Sequence, residues 1–301
     1  MDIVKEIQRL KKERNAVILV HNYQRPEVQD VADYLGDSLG LSIEASKTKA
    51  DAIVFCGVYF MAETAKIISP DKTVLIPDKD SGCPMADMVT AQELRELKAK
   101  HPKAKVMCYV NTSADVKAEC DICCTSANSV KVTQTAFKKD EEVIFVPDKY
   151  LADYTSRQCD REFIVWPGYC PTHAKILAED IEQGRKHHPQ ALVLSHPECS
   201  RAVVEASDAV LSTEGLCSFV KQSKAKEFIV GTELDIIYRL KKENPGKEFY
   251  PVSELAICPN MKKITLEKVL DSLKNNRHEV VLSPDISMRA RKCIQAMLAI
   301  K

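Results

Sequence analysis

The sequence lacks an excess of charge of either sign, a long apolar run and a low-complexity linker. Its 301 residues contain 43 Lys and Arg and 43 Asp and Glu, so the formal net charge is zero. Balanced charge gives no support for bulk binding of nucleic acid or of a membrane surface, and we expect neither as a partner. No segment approaches the roughly 20 apolar residues that a membrane-spanning helix needs.

The N-terminal residues 1–7 are charged and amphipathic, and they lack the apolar stretch of a secretory signal. We therefore expect a cytoplasmic protein. In that compartment the 12 cysteines are expected to be reduced thiols, core residues or metal ligands rather than disulfides.

What the sequence does contain is a three-fold internal repeat. The dipeptide Cys-Pro begins at Cys83, Cys170 and Cys258, at intervals of 87 (170 − 83) and 88 (258 − 170) residues. This period is too long for a solenoid and predicts three copies of one small domain. Three sets of polar residues keep the same intervals: His21, Tyr109 and His196; Tyr23, Asn111 and Glu198; Ser38, Ser126 and Thr213.

Apolar strands alternate with amphipathic helices through each copy, which is typical of α/β units with parallel sheets. The predicted fold class is α/β, with three similar α/β/α domains around a central active site in pseudo-three-fold symmetry. The predicted domains are residues 1–84 (joined by the C-terminal tail 277–301), 85–171 and 172–276. Within the tail we expect a strand at 279–282 and a last helix at about 288–300.

Three cysteines at matched positions are expected to converge, because ligands of open α/β sheets bind beyond the carboxyl ends of the strands. Cys83, Cys170 and Cys258 would suit a [4Fe–4S] cluster, whose fourth iron would then keep a free position. A zinc ion with an open coordination site is an alternative. The third possibility is three buried thiols that are kept only by the ancestry of the repeat.

The other repeated sets predict the chemistry of the same cavity. Ser38, Ser126 and Thr213 are interpreted as helix N-caps, at helix starts where free N–H groups favour an anion. The strand-end residues offer proton chemistry, with Glu198 as the candidate general base and the histidines as donors or acid–base groups. His173 either joins them or only satisfies its own helix.

The segment Cys120–Cys124 contains a C-x-x-C pair, but no second such pair accompanies it. A four-thiolate zinc site is therefore unsupported by the sequence. Cys108 is interpreted as a core residue, and Cys293 has no counterpart in the repeat.

Taken together, these residues resemble the quinolinate synthase family over essentially the whole chain. The resemblance is carried by segments that include His21-Asn22-Tyr23-Gln24, Gly36-Asp37-Ser38-Leu39, Gly82-Cys83-Pro84-Met85, Tyr109-Val110-Asn111, Cys124-Thr125-Ser126-Ala127-Asn128, Tyr169-Cys170-Pro171-Thr172-His173, His196-Pro197-Glu198-Cys199, Gly231-Thr232-Glu233 and Cys258-Pro259-Asn260-Met261.

The resemblance implies an enzyme of de novo NAD biosynthesis with one [4Fe–4S] cluster per chain. It would condense iminosuccinate (iminoaspartate) with dihydroxyacetone phosphate to quinolinate, releasing phosphate and water, with the enzyme that supplies iminoaspartate as a partner. Carried over by position, Cys83, Cys170 and Cys258 would hold the cluster, and Tyr23 and Glu198 would move protons. The substrate site would comprise His21, Ser38, Tyr109, Val110, Asn111, Ser126, His196, Pro197, Glu198 and Thr213.

Two alternatives stay open at this point. One is a different hydro-lyase that uses the same three-cysteine cluster. The other is a metal-binding or iron-sensing protein without catalysis, although the strand-end Tyr, Glu and His residues favour an enzyme.

Overall fold

Three four-stranded parallel sheets form the framework of residues 2–300, the part of the chain that the computed structural model describes. Each sheet and its helices form one unit. The first unit contains α1 (Ile3–Glu13), β1 (Ala16–His21), α2 (Pro26–Gln29), β2 (Tyr34–Gly36), α3 (Ser38–Lys47), β3 (Ala52–Cys56), α4 (Tyr59–Ile68) and β4 (Thr73–Leu75). The second unit contains α5 (Ala91–Lys100), β5 (Lys105–Tyr109), α6 (Ala114–Lys117), β6 (Ile122–Cys124), α7 (Ser129–Ala136), β7 (Val143–Val146), α8 (Lys149–Cys159) and β8 (Ile164–Val165).

The third unit contains α9 (Ala178–His187), β9 (Leu192–Ser195), α10 (Arg201–Glu205), β10 (Ala209–Val210), α11 (Thr213–Gln222), β11 (Glu227–Gly231), α12 (Ile236–Glu243) and β12 (Glu248–Pro251). The helices α13 (Leu266–Asn275) and α14 (Pro284–Leu298) follow. The sheets have the orders β2-β1-β3-β4, β6-β5-β7-β8 and β10-β9-β11-β12. This shared order confirms the predicted three similar α/β units.

The central strands form because their side chains are apolar on both faces and helices cover both faces. All five residues of β3 and all four of β7 are buried, as is typical of parallel sheets. None of the helices described in residues 2–300 is both long and apolar enough to cross a membrane.

One short strand in each unit was not predicted from the sequence, and one predicted strand does not form. β2, β6 and β10 are only two or three residues long, too short to show a period-two pattern. The strand expected at 279–282 is reduced to a single bridge between Glu279 and Leu75. Val280 donates its N–H to the Val74 carbonyl at 2.8 Å, and the chain then turns into α14 at Pro284.

The C-terminal helices pack against the earlier units. Helix α13 lies against α1 and β3, whereas α14 lies against α4, α6 and β6. The tail thus contacts both the first and the second sheet units. The division into domains at 84, 171 and 276 stays a prediction, as does the three-fold symmetry.

Candidate active site and metal centre

Residues at or beyond the carboxyl ends of the strands of all three sheets line one cleft, with about 660 Å³ of atom-free space. Its lining includes most of the predicted site residues: Cys83, Cys170, Cys258, His21, Tyr23, Ser38, Tyr109, Asn111, Ser126, His196, Glu198 and Thr213. Val110 and Pro197 are not among the described residues that line it. The Val110 carbonyl instead accepts a hydrogen bond from Lys117 Nζ at 2.7 Å.

Each repeated cysteine lies three residues before the start of a short 3-10 turn. Backbone N–H groups of the turn hydrogen-bond the thiol and favour its thiolate form: Met85 and Ala86 at Cys83, His173 at Cys170, and Asn260 and Met261 at Cys258. The turns are Ala86–Met88, His173–Lys175 and Met261–Lys263. The proline after each cysteine leads into the turn without losing a needed donor.

Burial is the largest influence on these thiols and opposes ionisation. It raises the pKa of Cys83 to about 12 and the pKa of Cys170 well above its ordinary value, and it also raises the pKa of Cys258. The charge of Cys258 further disfavours ionisation of Cys83. Thiolates crowded into one buried cleft are stabilised by a bound cation, so these residues fit a metal centre.

His21 and His196 occupy equivalent places after β1 and β9. In each, Nδ1 accepts the backbone N–H of the residue two positions on, Tyr23 at 3.2 Å and Glu198 at 3.3 Å. The proton therefore sits on Nε2, which in His196 lies 3.1 Å from the Ser126 hydroxyl. Burial lowers the pKa of both histidines to about 3. Both are thus neutral donors at pH 7 rather than groups that titrate near neutrality.

Glu198 meets two polar side chains of the cleft, one at each carboxylate oxygen. Its Oε1 accepts the Tyr109 hydroxyl at 2.6 Å, and its Oε2 lies 2.8 Å from His173 Nδ1. Burial raises the pKa of Glu198, but the charge and the hydrogen bond of His173 outweigh it and hold that pKa well below its ordinary value. Glu198 is consequently an ionised acceptor that orients two donors.

Tyr23 belongs to a second chain of hydrogen bonds. Its hydroxyl lies 2.5 Å from Thr232 Oγ1, which in turn lies 2.9 Å from His173 Nε2. Because His173 also meets Glu198, this chain links Tyr23 to the carboxylate. Burial raises the pKa of Tyr23 well above its ordinary value, so its phenol keeps the proton.

The three predicted N-caps are wrong: the observed N-cap residues lie one or two positions away from them. Asp37 and Ser212 are the N-caps of α3 and α11, where they accept the N–H groups of Gly40 and Gly215. Ser38 and Thr213 are the first helical residues. Ser126 precedes α7, whose N-cap position is held by Asn128. Ser38, Ser126 and Thr213 nevertheless line the cleft, and in α3 and α11 the capping role falls to the preceding residue.

The remaining lining combines apolar walls with one unsatisfied polar atom. Val58, Phe60, Met61, Met85 and Met261 form the apolar part. Asn111 Oδ1 is buried and has no hydrogen-bond partner within the described chain. A buried polar atom without a partner is costly, so a ligand group is expected to satisfy it.

Several lining residues escaped the sequence analysis or were left undecided there. Asp37, Thr125, Thr172 and Glu233 line the cleft without having been predicted, and His173 joins the set. Thr232 and Glu233 directly follow β11, the second central strand of the third sheet. Polar residues after the second central strand are the signal that could have predicted Thr232 and Glu233. The prediction used only the residues after the first central strand of each unit.

Among residues 2–300, two groups of three side chains bring metal-ligating atoms within 4.8 Å of one another. Cys170, His173 and Glu198 form one of them, inside the cleft. Cys108, Cys123 and Cys293 form the other, which is buried outside it. A buried group of three thiols that could hold a metal is therefore present.

Three α/β units that share a cleft of thiols, ionised carboxylate and phenols define a metal-capable α/β enzyme. A family model described as "Quinolinate synthetase A protein" matches residues 5–299. The chain belongs to the quinolinate synthase family.

Curated relatives match over nearly their whole length. A quinolinate synthase of Geobacter metallireducens is 53% identical over 298 residues, covering 99% of this chain and 97% of its own. One of Methanosarcina barkeri is 52% identical over 300 residues, covering 100% and 98%. One of Thermodesulfovibrio yellowstonii is 51% identical over 298 residues, covering 99% and 98%.

Proposed function

We propose that this chain condenses iminosuccinate with dihydroxyacetone phosphate to quinolinate, releasing phosphate and water, in de novo NAD biosynthesis in the cytoplasm. The family name, quinolinate synthase, supports quinolinate as the product. The observation that carries the proposal is that Cys83, Cys170 and Cys258 line the same cleft as Glu198 and Tyr109. An enzyme that supplies iminosuccinate is the proposed partner.

In this proposal the three repeated cysteines hold one [4Fe–4S] cluster. Their thiols fit such a group because each comes from a different unit, just ahead of its own turn, and receives backbone N–H groups there. A cluster with three protein ligands supplies a Lewis acid through its remaining iron. With the predicted domain boundaries at 84, 171 and 276, each unit would provide one of the three cysteine ligands.

Both proposed substrates are anions, yet the described lining contains no Lys or Arg. We infer that backbone N–H groups hold the carboxylates and the phosphate. The first turns of α3, α7 and α11 present such groups beside Ser38, Ser126 and Thr213, and helix N-termini favour negative charge. Asn111 adds an amide whose oxygen is still unsatisfied and would accept a substrate hydroxyl or amine.

Tyr109 and Glu198 are the proposed proton carriers. Because the Tyr109 O–H donates to Glu198 Oε1, the phenol oxygen has a lone pair free for a substrate proton. Tyr109 would accept that proton while its own moves to Glu198, and the reverse transfer would protonate a leaving oxygen. Tyr23 would act at the other end of the chain through Thr232 and His173.

The test is anaerobic purification of the chain, iron analysis, and an assay for quinolinate from the two substrates. We expect about four irons per chain and product formation. Cys83→Ala is expected to lose the iron, whereas Cys120→Ala is expected to keep it. Stoichiometric zinc in the cleft without iron would contradict the cluster.

Glu198→Gln separates catalysis from metal binding in the same assay. The variant is expected to keep the iron and to lose at least about 100-fold in kcat, the lower end of a general acid–base contribution. Glu214→Gln is the matched control, since Glu214 opens α11 and pairs with Arg239. Full turnover by the Glu198 variant would remove this carboxylate from the mechanism.

A further inference from the structure

The structure brings four cysteines together outside the cleft, in the second unit. Cys108 and Cys123 are register partners on the adjacent strands β5 and β6, and their sulfurs lie 3.4 Å apart. Cys293, in the middle of α14, places its sulfur 3.2 Å from that of Cys123. Cys120, which precedes β6, also affects the Cys108 thiol, but it is not one of the three cysteines whose sulfurs lie within 4.8 Å of one another; its own thiol meets the Val116 carbonyl at 3.0 Å. The C-x-x-C pair therefore has partners, which come from other parts of the chain.

The thiols lie in a place that excludes water. Cys108, Cys123 and Cys293 are fully buried, and only Cys120 is partly exposed. Cys120 consequently offers the route by which an ion could enter. Such a cluster of soft donors is unusual for packing alone, because apolar side chains of the same volume would fill the space without polar groups.

A buried ammonium that acts on two of the thiols is an independent feature of the site. Lys117 is fully buried, and its Nζ hydrogen-bonds only the carbonyls of Val110 and Thr112 within residues 2–300. Its charge acts on Cys108 and Cys293, and also on the Glu63 carboxylate. A buried cation needs compensating negative charge, and thiolates would provide it.

The hydrogen bonds among the thiols already favour one thiolate. Burial raises the pKa of Cys108, but hydrogen bonds from Cys120, Cys123 and Cys293, helped by Lys117, outweigh it and hold that pKa well below its ordinary value. The pKa values of the three donors are raised, by burial and by Cys108.

We propose that Cys108, Cys120, Cys123 and Cys293 form a second metal site, which binds one Zn²⁺-type ion through four thiolates. The C-x-x-C spacing is that of a zinc half-site. Zn–S bonds of about 2.3 Å in a tetrahedron place the sulfurs about 3.8 Å apart, so the sulfurs at 3.2 and 3.4 Å separate by about half an ångström. Binding releases the remaining thiol protons to solvent.

The consequence for the fold is a tie between the C-terminal helix and the second sheet. Cys293 is the one ligand from α14, whereas the other three come from β5, β6 and the segment before β6. The ion would therefore fasten α14 to that sheet. This site is separate from the cleft and does not depend on the proposed reaction.

The test measures zinc and iron in the same protein. The anaerobically purified full chain, with its iron in place, is incubated with Zn²⁺, desalted and analysed for both metals. We expect one zinc per chain in the wild type, and loss of that zinc with retention of iron in Cys123→Ala. Cys83→Ala should show the opposite pattern, with iron lost and the zinc kept. Replacing Zn²⁺ by Co²⁺ should give the intense thiolate-to-cobalt absorption of a tetrahedral site in the wild type and in Cys83→Ala, but not in Cys123→Ala.

Two further variants keep the outcome interpretable. Cys120→Ser changes a partly exposed ligand with little risk to folding and is expected to weaken zinc binding at least tenfold. Cys217→Ala removes a buried cysteine outside the group and is expected to bind zinc like the wild type. Equal zinc content in the wild type and in both ligand variants would overturn the proposal. A disulfide among the four cysteines in the anaerobic protein would overturn it as well.

Discussion

At the scale of single residues, burial decides the charge state of the cleft. His21 and His196 differ from ordinary histidines because they lie almost fully buried, at 5% and 3% exposure, with Nδ1 committed to a backbone N–H. Glu198 keeps its charge in the same surroundings because His173 and Tyr109 both donate to it. The cleft therefore combines the neutral imidazoles of His21 and His196 with the ionised carboxylate of Glu198.

The two histidines predict how stability depends on pH. Their pKa falls from 6.5 to about 3 on folding, so below pH 6.5 the unfolded chain binds protons that the folded chain does not. The free energy of unfolding should fall by about 1.4 kcal/mol per pH unit for each histidine as pH drops toward 3. Urea unfolding of the metal-free chain at about pH 7 and about pH 5.5 measures this.

A substitution isolates the contribution of one histidine from that of the other titrating groups. His196→Gln should reduce the difference between the two pH values by about 1 kcal/mol, whereas the exposed His187→Gln should leave it unchanged. An unchanged difference in the His196 variant would mean that this histidine is already protonated in the folded protein at the lower pH.

At the scale of elements, two neighbouring residues at a helix start have different roles: the first caps the helix, and the second lines the cleft. In α11, Ser212 caps the helix and Thr213 turns to the cleft, where its hydroxyl accepts a hydrogen bond from Asn22 at 2.9 Å. In α3, Asp37 and Ser38 divide the roles in the same way. The 3-10 turns after the three repeated cysteines are comparable, because their backbone N–H groups hydrogen-bond the preceding thiol.

The cap of α11 should contribute to stability independently of the chemistry. Ser212→Ala is expected to lower the free energy of unfolding by about 1 kcal/mol, because the Gly215 N–H loses its acceptor. Ser218→Ala on the same helix is the control, since Ser218 is exposed and its loss should change stability by less than about 0.5 kcal/mol. Denaturant unfolding compares the two, and equal effects would argue against the cap.

At the scale of the whole molecule, α14 joins elements that are distant along the chain. Cys293, Ile294 and Met297 are fully buried in the large core that also contains residues of α4, α6 and β6. Arg291 donates to the Ile67 carbonyl at the end of α4, and Arg289 pairs with Glu119 after α6. The last helix therefore fastens the first two sheet units to each other.

This role predicts a large effect of a core substitution near the C-terminus. Ile294→Ala should lower the free energy of unfolding by about 2–5 kcal/mol, because a fully buried side chain leaves a cavity. Met288→Ala on the same helix is the control, since Met288 is 59% exposed and should change stability by less than about 0.5 kcal/mol. A loss as small as that of the control would mean that α14 is not integral to the core.

The sequence by itself determined the α/β class, the three copies and most of the residues that line the cleft. It could do so because strand and helix periodicity are local, and because a repeat in register marks equivalent places without any knowledge of their packing. The central strands, the Cys-Pro positions and the strand-end polar residues were predicted from such patterns. The short strands β2, β6 and β10 were missed because two or three residues carry no period.

Only the tertiary structure decided what those residues meet. Charge states in the cleft depend on burial and on partners such as His173 and Thr232, which no local pattern reveals. The four-cysteine group makes the same point: Cys120 and Cys123 lack partners along the chain, and β5 and α14 bring Cys108 and Cys293 to them. Contacts between residues 170 positions apart arise from packing, and packing is a property of the whole folded chain.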